Sequence, residues 1–243
     1  MKHLQLQQGS VEWLEARTRV VTASELDCLI TPKGDLRTGE MPKTYLARKL
    51  AEWWIGGPLQ DFGGGVREQG SLLEEEARAG LAIELDREIK TAGLLMNDAE
   101  TIGASPDGLF DDDTGEGVEI KCPQPVNHVK WLLAGTLPDE HRLQCQGAMF
   151  VTGAKRWWFH SYSRSMPTIL IPVDRDERLQ GVIGQAVEVF TERFADAKKV
   201  LIARNGGREP DRSQAQPSEW QQRLDEEGDP TVITALWARG GVQ

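Results

Sequence analysis

Apolar positions recur at helical spacing through the first third of the chain. Ser10-Val11-Glu12-Trp13-Leu14 opens a short helix, and Thr22-Ala23-Ser24-Glu25 opens a second that carries Leu26, Leu29 and Ile30. Pro42 starts a third, with Tyr45, Leu46, Leu50 and Trp53 at helical intervals. After the glycine run Gly63-Gly64-Gly65, Ser71 and Glu74 have the spacing of a capping box, and the helix they predict runs through Ala77 and Leu81 to about Leu85. From Arg87 the period shortens. Glu88 to Met96, Ile102 to Leu109 and Val118 to Lys121 read as strands, with Asp111-Asp112-Asp113-Thr114-Gly115 as the last turn, and together predict a β-meander. Pro138 then starts a helix that stops at Gly153, and Trp157 to Tyr162 with Thr168 to Val173 predict a hairpin. A long amphipathic helix follows from about residue 176 to 203, its stripe of Leu179, Ile183, Ala186, Phe190 and Phe194 suited either to the core or to a subunit contact. Residues 204–230 are polar, carry Pro210, Pro217 and Pro230, and read as a loosely held tail. The pattern predicts an α/β fold with a mixed central sheet flanked by helices, one domain over residues 1–203 and a polar tail over 204–243.

Composition narrows the class. Hydrophobic residues are 39% and charged residues 27%, with no apolar run near the ~18–20 residues of a membrane span, so a soluble chain without a bilayer role is expected. Met1 to Ser10 lacks a secretory pattern, and the three cysteines are odd in number and scattered, which points to a reducing cytoplasm. They are too few for a four-cysteine iron–sulfur cluster, so Cys122 and Cys145 are expected to fill the core. The net charge of -10 excludes a uniformly basic coat on nucleic acid, but accommodates a local basic groove and a carboxylate cluster around a cation. Lys33, Arg37, Lys43, Arg48 and Lys49 are the best candidates for such a lining, and fit a solvated face nearly as well. Trp53-Trp54 and Trp157-Trp158 are expected in the core, and His128, His141 and His160 lack metal spacing and are expected to satisfy local hydrogen bonds.

The most informative stretch is Gly103-Ala104-Ser105-Pro106-Asp107-Gly108, then the turn, then Val118-Glu119-Ile120-Lys121-Cys122-Pro123. Alternation along a strand puts Glu119 and Lys121 on one face and Val118 and Ile120 on the other. A hairpin partner ending near Asp107 brings a second carboxylate to that face, and paired oxygen donors suit Mg²⁺. Such a set serves phosphodiester hydrolysis: the cation activates water and neutralises phosphoryl charge, while the ammonium orients the nucleophile or stabilises developing charge. Taken singly, Asp-Gly after proline is an ordinary turn and Glu-Ile-Lys an ordinary strand.

Jointly these residues resemble the signature of the restriction-endonuclease-like nuclease superfamily. With Trp13, Arg17, Thr22-Ala23-Ser24-Glu25, Gly70 and Glu74, and Gln144 and Gln146 before Met149-Phe150-Val151-Thr152-Gly153, the chain over about residues 10–165 resembles lambda exonuclease and related YqaJ-type viral recombinases. The resemblance implies a Mg²⁺-dependent alkaline 5′-to-3′ exodeoxyribonuclease, with two metal positions and Mn²⁺ as a substitute. It implies digestion of one strand of duplex DNA to mononucleotides, leaving a 3′ single strand for a single-strand annealing protein in phage-type recombination. A homotrimeric ring and a phage or prophage origin, acting in the bacterial cytoplasm, come with it. Position by position, Asp107, Glu119 and the main-chain carbonyl of Ile120 match metal ligands, Lys121 the catalytic lysine, and Glu74 an acid at a second metal position, where a capping-box Glu also belongs. Arg17, Ser24 and Ser105 match the residues that hold the 5′-terminal phosphate, although Ser24 also suits a plain helix start. Gln144 and Gln146 lie roughly 200° apart around a helix. Gln146 matches the active-site glutamine better, which leaves Gln144 to solvent. The alternatives are an endonuclease or helicase-coupled repair nuclease of the same core, which has no terminus to hold, and a catalytically idle DNA-end clamp.

Overall fold

The computed structural model describes residues 1–59, 64–112 and 114–211, with 64–71 described by backbone alone. In chain order the elements are β1 (Lys2–Leu4), α1 (Val11–Thr18), β2 (Val21–Thr22), a 3₁₀ helix (Ala23–Cys28), α2 (Glu40–Ile55), α3 (Gly64–Leu85), β3 (Ile89–Lys90), β4 (Leu94–Met96), β5 (Ile102–Ala104), β6 (Gly108–Phe110), β7 (Gly117–Lys121), α4 (Pro125–Ala134), α5 (Asp139–Thr152), β8 (Arg156–Ser161), β9 (Ile169–Asp174) and α6 (Glu177–Arg204). Among the described residues no helix is long and apolar enough to cross a membrane.

The mixed α/β architecture flanked by helices is present, its strands divided between two mixed sheets ordered β1-β4-β5-β2 and β3-β6-β7-β8-β9. The expected meander is therefore divided. β4 and β5 pair antiparallel in the first sheet, whereas β6 and β7 pair antiparallel in the second. The chain changes sheets at Ser105-Pro106-Asp107, where Pro106 brings no N–H to continue a ladder. This crossing sets Ser105 and Asp107 at the seam between the sheets. β7 and β8 run parallel, Glu119 opposite Phe159, and α4 and α5 make the crossover that parallel pairing requires. The hairpin of β8 and β9 pairs Arg156 with Asp174 through Ser161 with Ile169.

Local chemistry explains the helix ends. Ser10 caps α1 by accepting the Trp13 N–H at 3.2 Å, and Asp176 caps α6 by accepting that of Leu179 at 3.0 Å. Gly153 ends α5 at φ 78°, its N–H returning to the Met149 carbonyl at 2.9 Å. α3 begins earlier than expected, at Gly64, so Ser71 lies inside the helix rather than at its start.

The main core gathers Leu26, Ile30, Tyr45, Leu95, Met149, Trp157, Phe159, Leu179 and Ile183 from both sheets, the 3₁₀ helix, α2, α5 and α6. A second cluster sets Ala77 and Leu81 of α3 against Phe110, Val118 and Ile120 of the five-stranded sheet. The inner stripe of α6 thus enters the core. Trp157 and Cys145 are fully buried, Cys122 is half-buried, and Trp53 and Trp54 form an edge-to-face pair on α2. At Gly147 the 3₁₀ helix approaches α5 so closely that a Cβ there would meet Leu26 Cδ1 at 2.6 Å and Ala23 Cβ at 2.9 Å. Only glycine admits that approach, which seats Ser24 against α5.

Candidate active site

β7 supplies the centre of the site. Val118 and Ile120 face α3, which leaves Glu119 and Lys121 together on the opposite face, ion-paired to each other. Glu119 is only 2% exposed. Asp107 is also buried and meets β7 through its own carboxylate, which accepts the Ile120 N–H at 2.6 Å. Its main-chain carbonyl accepts from Arg78 Nη1 of α3 at 2.9 Å. Asp107, Glu119 and Lys121 are therefore one cluster, at the end of β7 nearest the seam.

Two buried acids side by side resist ionisation. Burial, and then Asp107, push Glu119 up to about 8. Asp107 is raised by its burial, against the pull of Lys121 and the Ile120 amide. Burial opposes the charge on Lys121, but Glu119 and Asp107 outweigh it and hold the ammonium above its usual value. Glu74 on α3 is pushed up to about 7 by burial and then by Asp107, while forming an ion pair with Arg78 at 3.5 Å. Excess buried negative charge on oxygen donors fits a hard divalent cation, which relieves the repulsion that raises these acids. Among the described residues no three His, Cys, Asp or Glu side chains close on one point. Glu74 faces the cleft that Asp107 also lines, with Arg78 beside it.

Two hollows flank this pair. A cleft of about 1120 Å³, lined by Gln8, Glu74, Arg78, Ala92 and Asp107, lies toward α3 and has ample room for a nucleotide. A pocket of about 20 Å³, room for about one water-sized group, is lined by Arg17, Ser24, Ser105, Glu119, Gln144 and Ala148. The Arg17 guanidinium lies over the Trp13 ring at 4.3 Å and donates to Ser24 Oγ at 3.1 Å, while Trp13 Nε1 donates to Ser105 Oγ at 2.9 Å. Arg17, Ser24 and Ser105 come from α1, the 3₁₀ helix and the seam, and converge beside Glu119. Burial lowers the Arg17 guanidinium from its usual value, and Glu25 opposes that.

The glutamines exchange their expected places. Gln146 is 2% exposed and faces away, donating to the Asp174 carbonyl at 2.8 Å and accepting from the Asp176 N–H at 3.0 Å and from Gln180 Nε2 at 2.8 Å. It ties α5 to the start of α6, and Gln144 is the one that reaches the pocket. The expected catalytic place of Gln146 is corrected accordingly, since its amide is consumed by these bonds. Gln146→Ala should lower the melting temperature by roughly 5–10 °C, from about 2–4 kcal/mol of lost buried hydrogen bonding. Gln144→Ala should leave melting near wild type and slow cleavage. Calorimetry beside a nuclease assay checks both, and the reverse pattern would overturn the exchange.

The candidate basic lining is largely spent within the fold. Lys49 is buried and donates to the Arg17 carbonyl at 2.7 Å, and Arg48 is paired with Glu25. Lys43 pairs with Glu40 at 2.7 Å, and Arg37 Nε donates to the Asp27 carbonyl at 2.6 Å. Of the histidines, His128 contacts Ser161 Oγ at 2.8 Å and the Pro167 carbonyl at 2.9 Å, and His160 contacts the Ile169 carbonyl at 3.1 Å. His141 departs from expectation: it stacks on Phe159, and its Nε2 has no partner among the described residues.

The YqaJ-like viral recombinase domain, as a family, matches residues 12–155. An alkaline exonuclease, LHK-Exo, from Laribacter hongkongensis is similar at 27% identity and a TM-score of 0.72, over 81% of this chain and 98% of that one. LHK-Exo in complex with dAMP matches at 27% identity and a TM-score of 0.71, with the same coverage. A phage-related exonuclease from Haemophilus somnus shares the fold at 15% identity and a TM-score of 0.59, over 75% of this chain and 96% of that one. No curated protein matches the sequence. The architecture is that of the restriction-endonuclease-like fold of the alkaline exonucleases.

Proposed function

This chain belongs to the YqaJ-like viral recombinase family and is a nuclease, and from that premise we propose that it is a Mg²⁺-dependent 5′-to-3′ exonuclease on linear duplex DNA. The observation that supports this reading most is the pocket of Arg17, Ser24 and Ser105 opening directly beside Glu119. An arginine with two hydroxyls is an anion-binding set, and a terminal phosphate is the anion that distinguishes a DNA end from its interior. An endonuclease would have no use for it.

Asp107 and Glu119, with the main-chain carbonyl of Ile120, would hold Mg²⁺, with Mn²⁺ as a substitute and a second position toward Glu74. Such an ion, when bound, activates water and neutralises charge on the phosphoryl group. Lys121 presents its ammonium on the same strand face and stabilises charge developing on the phosphoryl oxygens. Arg17, Ser24 and Ser105 hold the terminal phosphate, for which their pocket of about 20 Å³ must widen, so that the adjoining phosphodiester lies over Glu119, and Gln144 orients from α5. Proximity of end recognition to hydrolysis gives release of one nucleotide at a time, in keeping with the LHK-Exo complex with dAMP. The resulting 3′ single strand would pass to an annealing protein, and a homotrimeric ring would retain the duplex by topology.

Linear duplex labelled at either end tests this. The 5′ label should leave first as a mononucleotide, faster from phosphorylated than from hydroxyl ends, and Arg17→Ala should erase that difference. Early loss of the 3′ label, or cutting of closed circular DNA, would reject the reading.

A further inference from the structure

Behind the pocket lies a buried set of charges that touches no hollow assigned above. Glu25, on the 3₁₀ helix next to Ser24, accepts the Thr22 hydroxyl at 2.8 Å and the Tyr45 hydroxyl at 3.1 Å, and pairs with Arg48. Lys49, 3% exposed, faces Glu25 at 3.8 Å and Glu52 at 3.6 Å. Its third contact, the Arg17 carbonyl at 2.7 Å, is a main-chain oxygen in the last turn of α1, where helix carbonyls lack intrahelical partners. One ammonium on α2 thus ties down the backbone of the residue whose guanidinium enters the pocket.

Proton directions extend the set to Ser24. The Thr22 hydroxyl has a single proton, and it goes to Glu25. In its 3.2 Å contact with Ser24 Oγ, Thr22 therefore accepts and Ser24 donates, while Ser24 accepts from Arg17 at 3.1 Å.

We propose that Lys49 and Glu25 are positioning residues for the terminal phosphate: Lys49 fixes the main chain of Arg17, and Glu25, through Thr22, sets the Ser24 hydroxyl. The proposal rests on the terminal-phosphate reading above. Surface lysines attract every duplex alike, whereas this pair should act only on ends that carry the phosphate.

The test is the affinity of blunt duplexes with 5′-phosphate and 5′-hydroxyl ends, measured by fluorescence anisotropy in EDTA so that no cleavage intervenes. Lys49→Met should lower the phosphate-to-hydroxyl affinity ratio about tenfold and Lys49→Arg should restore much of it, a scale set by one charge-assisted contact. Thr22→Val, which removes only the hydroxyl, should lower the ratio about threefold. Should Lys49→Met fail to fold by circular dichroism, Thr22→Val decides alone. Folded variants that keep the wild-type ratio overturn the proposal and leave the phosphate pocket standing. Wild-type protein with no preference overturns the pocket, and the proposal with it.

Discussion

Lys121→Met should slow phosphodiester cleavage about 10²- to 10⁴-fold while duplex affinity in EDTA stays near wild type. Methionine keeps the length and apolar stem of the side chain and removes only the charge. That charge sits against Glu119, on the face where the phosphodiester must lie. It contributes little to holding a duplex, because one ammonium among many phosphate contacts changes affinity modestly. It matters when negative charge accumulates on the phosphoryl oxygens, since a fixed cation in a half-buried site then acts at low dielectric. Single-turnover rates on end-labelled duplex, beside gel shifts in EDTA, are the measurement. Cleavage within tenfold of wild type would remove Lys121 from the chemistry.

Glu119→Gln should abolish the stabilisation that Mg²⁺ confers and reduce cleavage by at least about 10³-fold, in line with loss of a group on which the whole constellation depends. In wild type, Mg²⁺ at about a hundred times its dissociation constant adds about 2.7 kcal/mol, or roughly 5–10 °C in a domain of this size. The amide keeps the shape of the carboxyl but not its charge. Without metal the variant should melt within a few degrees of wild type, because burial and then Asp107 work against the Glu119 charge, and removing that charge relieves a cost that its ion pair with Lys121 offsets. Scanning calorimetry with and without Mg²⁺ separates the outcomes. An equal Mg²⁺ shift in both proteins would show that Glu119 is not a ligand.

The elements set by local pattern alone were legible. The Ser10 cap, α5 ending at Gly153, the β8–β9 hairpin and the long α6 all lie where periodicity and end signals put them. β1 and α4 escaped for opposite reasons. β1 is three residues held by pairing with β4, far along the chain. α4 opens on Pro125, as α5 opens after Pro138, but Val126 and Leu133 are exposed, so its apolar residues do not mark an inner face. Glu74 kept its helix but lies inside it rather than in its first turn, since backbone pattern does not reveal that α3 begins earlier at Gly64.

For the site, the sequence by itself determined that Glu119 and Lys121 share a face, because alternation along a strand is a property of the backbone. It also carried the order of chemical groups by which the family is recognised. Tertiary structure decided which of those groups meet. Only the change of sheets at Pro106 brings Asp107 to β7 and Ser105 to Trp13. Only the packing of α5 turns Gln144 to the pocket and spends Gln146 on β9 and α6. Only the close approach at Gly147 seats Ser24, and only the fold buries Lys49 that pattern reading set on a DNA-facing surface. The reason is one of range: strand and helix periods act over a few residues, whereas the orientation of a polar side chain depends on partners a hundred residues away that no local period encodes.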